Sequence, residues 1–248
     1  MFGLIRKEVK FTGGVYQEYA EYPLSDAHSF EDIKSWNGWL KISHWNFSTL
    51  GKKIDKINEK TRYHIRYPFF QLGGIFELSW GFYGMQNFLI DLIERPEIPC
   101  AIMDKFTDLF TNIADKALSS AGDKIDVVYT YYDIGMQNNL LISKKIWKKY
   151  ILPRHQRLNI VIKSYSVPIM YHSCGASYDI IPDLIKDMNI DILNPLQPKA
   201  KGMNMKKIKK NFGDKISFHG GIDLQDTLPY GSTSEVKKEA RSRCEVLG

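Results

Sequence analysis

The chain has 248 residues, 44% of them hydrophobic and 25% charged, and 34 Lys+Arg against 28 Asp+Glu give a formal charge of +6. That composition excludes a disordered or fibrous chain and suffices for one sizeable core, while no stretch approaches the ~20 apolar residues of a membrane-spanning helix. Three cysteines, Cys100, Cys174 and Cys244, do not make a disulfide framework, and Met1 to Lys10 carries no apolar leader run, so a cytoplasmic protein without a membrane partner is expected.

In chain order, Ser29 with Asp32 caps a short helix near residue 30. Tyr63 to Phe69 reads as a strand and residues 76–94 as its following helix. Ile98, Ile102, Leu109, Ile113 and Leu118 recur at helical spacing, and Gly122 stops that helix; Cys100 is expected just ahead of it. Asp126 to Tyr131 is a buried strand. Ser143 opens a helical stretch that Pro153 is expected to break. Val167 to His172 is a strand, residues 178–188 a helix, Ile190 to Asn194 a strand, and residues 204–211 a short helix ending at Gly213. Ile216 to His219 is a strand, and Ser232 with Glu235 forms a capping box for a last helix, which contains Cys244.

Strands alternating with helices over short connections give a parallel sheet covered by helices. A doubly wound sheet would carry a G-x-G-x-x-G turn, and Gly73-Gly74 and Gly220-Gly221 lack that spacing. Polar residues cluster instead at or just past the strand ends: Asp133, His172, Asn194 and His219. That is where α/β barrels place their chemistry, so the expected fold is a (β/α)8 TIM barrel forming one domain over residues 1–248, with the pattern carried by 63–248. Five strands are legible where eight close a barrel, so the barrel is expected to be incomplete, truncated at the C-terminus and also at the N-terminus.

Two lysine clusters, Lys144, Lys145, Lys148 and Lys149, and Lys206, Lys207, Lys209 and Lys210, suggest either an anion-binding patch or solvated helix faces. Ile146, Trp147 and Ile208 fall between them at helical spacing, and no Arg-aromatic interleaving is present, which favours helix faces and no nucleic-acid partner.

His172 and Cys174 stand two apart at a strand end, so their side chains share a side if the strand continues. Imidazole with thiolate is a zinc-preferring pair; the plainer alternative is a core histidine beside a buried cysteine. A catalytic zinc site uses three protein ligands, and His219 is the best internal third candidate unless the ligand lies beyond Gly248. Asp133 is placed to act as a general acid or base or to bind a substrate N–H, with Gln137 in the same loop; either could equally be a loop cap. Asn194 and Gln197 follow one strand, and Asp223 and Gln225 follow Gly220-Gly221, where a ligand can approach the backbone closely.

Six runs then carry a resemblance: Tyr132-Asp133-Ile134-Gly135-Met136-Gln137, Tyr150-Ile151-Leu152-Pro153-Arg154, His172-Ser173-Cys174-Gly175, Ile181-Pro182-Asp183-Leu184-Ile185, Asp191-Ile192-Leu193-Asn194-Pro195-Leu196-Gln197 and Phe218-His219-Gly220-Gly221-Ile222-Asp223. In this order over residues 63–248 the chain resembles the uroporphyrinogen decarboxylase family, which includes cobalamin-dependent methyltransferases. The resemblance implies a (β/α)8 barrel and, in the methyltransferase branch, zinc bound by an H-x-C pair plus a later cysteine. His172 and Cys174 match the pair; the later cysteine, near a final strand after a Gly-Gly, has no match in this chain. It also implies methyl transfer between a corrinoid on a partner protein and a thiol or small methyl donor; from their places past the strand ends, Asp133 and His219 are expected in the reaction and Gln137, Asn194, Gln197, Asp223 and Gln225 toward substrate. The alternative is cofactor-free uroporphyrinogen decarboxylation in porphyrin biosynthesis. Against that stand the H-x-C-G run itself and the absence of recognisable N-terminal basic motifs; Tyr132, where the family often has Asp, departs from the family pattern as a whole. A third alternative is a corrinoid-protein binding partner or inactive fragment.

Overall fold

A computed structural model describes residues 3–68 and 73–248. The chain opens with an antiparallel hairpin that the sequence did not announce, β1 (Ile5–Phe11) and β2 (Gly14–Glu21), with Lys7 opposite Glu18 and Val9 opposite Tyr16. Charged and apolar residues occur on both of its faces, so it lacks the clean alternation of a half-buried pair. It is exposed along most of its length and rests on the rest of the molecule through Tyr19, edge-on to Trp80 with ring centroids 5.5 Å apart. Helices α1 (Phe30–Ser35) and α2 (Leu50–Ile57) follow, α1 with the expected Ser29/Asp32 capping box.

Strand β3 covers Arg66–Pro68. It is shorter than the expected Tyr63–Phe69 strand, of which Phe69 lies outside the described residues. Two helices replace the single one expected over 76–94: α3 (Ile75–Tyr83) and α4 (Met85–Glu94). They part at Gly84, whose φ of 88° and ψ of 130° no side-chain-bearing residue adopts cheaply. Helix α5 (Glu97–Ala121) is longer than its apolar spacing suggested and includes Cys100, which therefore lies within the helix and not ahead of it. It is the spine of the apolar core, where Trp36, Trp39, Phe82 and Phe106 meet in edge-to-face and stacked pairs.

The second half alternates as expected, with strand ends shifted by one to two residues: β4 (Val127–Tyr131), β5 (Ile169–His172), β6 (Ile192–Leu196) and β7 (Ser217–Gly220). Between them run α6 (Lys144–Ile146), α7 (Leu152–Ser164), α8 (Ile181–Lys186) and α9 (Met205–Phe212); α10 (Thr227–Tyr230) and α11 (Thr233–Leu247) come last. Pro153 does not break its helix. A π-helical turn, Trp147–Ile151, sits just ahead of it, and Leu152 N–H bonds back to the Trp147 carbonyl. The wider turn absorbs the ring and the missing donor while the helix axis continues.

The five strands form one sheet in the order β3-β4-β5-β6-β7, every neighbouring pair parallel. The order follows the sequence without reversal, whereas a doubly wound sheet reverses at a switch point. This is the strand order of the barrel type. Among the described residues it forms an open arc and not a closed ring of eight.

Pairing decides which side chains meet. Tyr131 stands opposite His172 and His172 opposite Asn194, so these side chains share one face. Val128, Ile169, Tyr171 and Leu193 occupy the other face and are fully buried. The lysine clusters sit on helix surfaces. Lys144 and Lys148 each lie 2.6 Å from the Asp183 carboxylate, and on α9 the lysines flank buried Met205, Ile208 and Phe212.

Candidate metal centre at the strand ends

Beyond the C-terminal ends of β4 and β5, two loops touch backbone to backbone. Gly135 lies so close to the Cys174 carbonyl that no Cβ fits, and a Cβ on Gly175 would fall 2.6 Å from both the Gly135 and Met136 carbonyl oxygens. Gly175 also has a φ of 76°. These contacts require glycine at both positions, and they bring the Asp133 loop against the Cys174 loop. Ala176 N–H donates to the Met136 carbonyl at 2.8 Å and Cys174 N–H to Asp133 Oδ1 at 2.7 Å.

Three side chains converge there. His172 Nε2 is 3.5 Å from Cys174 Sγ and 3.6 Å from Asp133 Oδ1, and one donor atom from each of the three residues lies within 4.8 Å of the others. All three side chains are half-buried. Sequence reasoning expected His172 and Cys174 as a pair, took Asp133 as an acid or base, and favoured His219 as a third ligand. The structure places Asp133 with the pair. His219 stands apart from it, its Nδ1 2.6 Å from Asn194 Nδ2.

The electrostatics favour a cation. Burial, together with the neighbouring Asp133 carboxylate and its hydrogen bond, pushes the Cys174 thiol up to about 12. Burial also opposes the charge on Asp133. Contacts with His172, Cys174 N–H and the Tyr131 hydroxyl outweigh it and hold that carboxyl below its ordinary range. A thiolate in contact with an ionised carboxylate is unfavourable, so the thiol keeps its proton unless a cation lies between the two. The distances fit zinc as well. Zn–N near 2.0 Å and Zn–S near 2.3 Å at a tetrahedral angle put nitrogen and sulfur about 3.5 Å apart.

Supporting residues escaped the sequence reading. Tyr131 stacks on the His172 ring, centroids 4.3 Å apart and planes 12° from parallel. Tyr129 Oη reaches His172 Nδ1 at 2.6 Å and donates to Asn194 Oδ1 at 2.9 Å, with the Arg66 guanidinium 4.6 Å from its ring centroid. Alternation along β4 was the available signal, because Tyr129 and Tyr131 are four and two residues before Asp133. Glu77 is the other. It is fully buried at the start of α3 and accepts N–H bonds from Gly74, at 2.8 Å, and from Asp133. Burial pushes its carboxyl up to about 8, against the pull of those bonds. In sequence Gly74 showed only the lack of a G-x-G-x-x-G spacing, and Glu77 fell within the expected 76–94 helix without a mark of its own.

The remaining expected site residues form a second group, engaged with one another. Gln225 Nε2 donates to Gln137 Oε1 at 2.9 Å, and Gln137 Nε2 to the Lys199 carbonyl at 2.9 Å. Asp223 is buried, accepts Gln225 N–H at 2.8 Å and lies 3.2 Å from Lys199 Nζ. Gln197 Oε1 accepts Gly175 N–H at 2.7 Å, which ties this group to the His172–Gly175 loop. These residues brace loops; the structure does not bring Gln137, Asp223 or Gln225 into the His172–Cys174 cluster.

A parallel α/β sheet in sequential order, with polar groups gathered past the C-terminal ends of its strands, is an arrangement consistent with the α/β barrel class. The family model described as uroporphyrinogen decarboxylase (URO-D) matches residues 60–247, and the chain belongs to that family. The fold is similar to that of a solved methyltransferase from Methanosarcina mazei, with TM-score 0.68 and 16% identity over 98% of this chain and 67% of that chain. No curated protein matches the chain in sequence.

Proposed function

We propose that the five-stranded sheet is an arc of a (β/α)8 barrel whose strand-end cluster binds zinc for methyl transfer between a corrinoid, carried by a partner protein, and a thiol or small methyl donor. The observation that carries this reading is the convergence of His172, Cys174 and Asp133, with a nitrogen–sulfur separation suited to one tetrahedral ion. The similarity of fold to a methyltransferase is in keeping with it. His172 Nε2, Cys174 Sγ and a carboxylate oxygen of Asp133 would hold the metal, whose chemistry is to keep a substrate thiol ionised near neutral pH. The chain's own groups do the rest. Tyr131 orients the His172 ring by stacking, Glu77 holds the Asp133 backbone, and the Gly135–Gly175 contact keeps the two ligand loops in register. With Asp133 in this role, His219 is left as the exposed candidate to meet substrate.

Elemental analysis tests the reading. About one zinc per chain is expected in the purified protein, and none in a His172→Ala/Cys174→Ala variant that retains its circular dichroism. No zinc in either protein would discard metal-assisted methyl transfer. Uroporphyrinogen decarboxylation is the second reading, favoured by an Asp133 held ionised where pyrrole N–H groups could donate to it. Turnover of uroporphyrinogen by the metal-free protein would put it first.

A further inference from the structure

Asn194 lies between two imidazoles. On one side its Oδ1 is 3.1 Å from His172 Nδ1 and accepts from Tyr129 Oη at 2.9 Å, while Tyr129 Oη is 2.6 Å from His172 Nδ1. On the other side its Nδ2 is 2.6 Å from His219 Nδ1. Asn194 is buried, so these partners are its surroundings and not solvent.

A primary amide has one donor end and one acceptor end, and a neutral imidazole carries its proton on one nitrogen only. With Oδ1 toward His172, two acceptors would face each other across 3.1 Å unless His172 carries its proton on Nδ1. That proton then goes to Tyr129 Oη or Asn194 Oδ1, and the Tyr129 hydroxyl hydrogen goes to Asn194 Oδ1. At the other end Nδ2–H donates to His219 Nδ1, so the His219 proton must be on Nε2. The amide fits the same space turned end for end, and every assignment then reverses: His172 carries its proton on Nε2 and His219 on Nδ1. No arrangement that puts a hydrogen in every one of these contacts, the one from the Tyr129 hydroxyl to Asn194 included, gives both rings the same tautomer.

We propose that Tyr129 and Asn194 are positioning residues that couple the tautomers of His172 and His219, so that just one of the two rings is protonated at Nδ1. The consequence for function rests on the zinc reading. A metal on His172 Nε2 needs the lone pair there, which selects the orientation seen and leaves His219 with Nε2–H on an exposed ring. His219 then meets substrate as a hydrogen-bond donor, and the group it recognises is an acceptor such as a carboxylate or carbonyl oxygen.

Two-bond 1H–15N correlation spectra of the 15N-histidine-labelled chain read both tautomers directly, without metal or turnover. The expected wild-type result is His172 protonated at Nδ1 and His219 at Nε2, unchanged by one equivalent of zinc. Asn194→Asp supplies two acceptor ends, so it should move the His219 proton to Nδ1 while His172 keeps its own, with zinc affinity within a few-fold of wild type. Asn194→Ala should release His219 and weaken zinc binding by about 10–100-fold, the usual effect of losing a partner that orients a ligand. The same tautomer on both rings in the wild type, whether Nδ1 or Nε2, or a His219 tautomer indifferent to Asn194→Asp, overturns the coupling. Failure of wild type to take up zinc removes the metal reading alone, because the tautomers are still read in the metal-free protein. Should the Asp variant not fold, the wild-type spectrum still decides.

Discussion

At the scale of single residues, Cys174 and Glu77 are both held away from their ordinary charge behaviour, with different consequences. The thiol of Cys174 is protonated across the neutral range in the metal-free site, its value pushed to about 12 by burial and Asp133. Zinc uptake must therefore expel that proton, and between pH 7 and 9 the apparent affinity should rise about tenfold per pH unit. Calorimetry in buffers of different ionisation enthalpy would count the proton; zero protons released would mean that Cys174 is not a ligand. Glu77 is raised from 4.5 to about 8. Between those values the folded state binds more protons than the unfolded state, so its contribution lowers stability as pH rises from about 4.5 to about 8, by at most about 1.4 kcal/mol per pH unit. Glu77→Gln should flatten that slope in urea-denaturation midpoints measured from pH 5 to 8, and an unchanged slope would assign the pH dependence elsewhere. The pair His172 and Cys174 was legible because strand alternation is visible in any H-x-C at a strand end. Asp133 was legible as a polar loop residue but not as their neighbour, since its proximity comes from pairing between β4 and β5 and from two glycine contacts. Gln137, Asp223 and Gln225 looked like substrate groups because sequence cannot show that they bond to each other and to Lys199.

Among the elements, glycine and proline decide where the chain bends, and only some of those decisions were readable. Pro153 looked like a helix break because a proline removes one donor; the π-turn ahead of it, which depends on backbone spacing around Trp147, carries no sequence mark of its own. Gly84 sits in a run whose apolar pattern continues on both sides, so one helix was expected where two exist. Gly84→Ala meets only ordinary van der Waals contacts, the nearest atom being Tyr22 Cδ2 at 3.7 Å, so its cost is backbone strain alone, about 1–3 kcal/mol. Thermal denaturation should show that loss with zinc content unchanged. Gly175→Ala differs, because its new methyl group collides with carbonyl oxygens of the facing loop. It should lose zinc as well as stability, and retention of zinc would show that the two loops separate without harm to the site. The β-α alternation from β4 onward was legible because β4, β5 and β6 bury apolar residues such as Val128, Ile169, Tyr171 and Leu193 on one face. The hairpin was not, because its exposed strands mix charged and apolar residues.

For the molecule as a whole, sequential strand order separates a compact α/β body from the hairpin that stands beside it. Residues 3–15 have few buried side chains and reach a tip at Thr12-Gly13. Trypsin should cut first at Lys7 or Lys10 and leave a folded remainder, seen as a stable product by mass spectrometry. Early cleavage at Lys199 or Lys209 would contradict that order. The three donor side chains all lie between residues 133 and 174, from just past the end of β4 to just past the end of β5. A metal at that place is a clasp on one stretch of about forty residues, not a bolt through the whole protein. Binding that favours the folded form slows local opening only where the bound segment is part of the opening unit. Adding zinc should accordingly slow amide hydrogen exchange in β4 and β5 and leave the hairpin exchanging as fast as before.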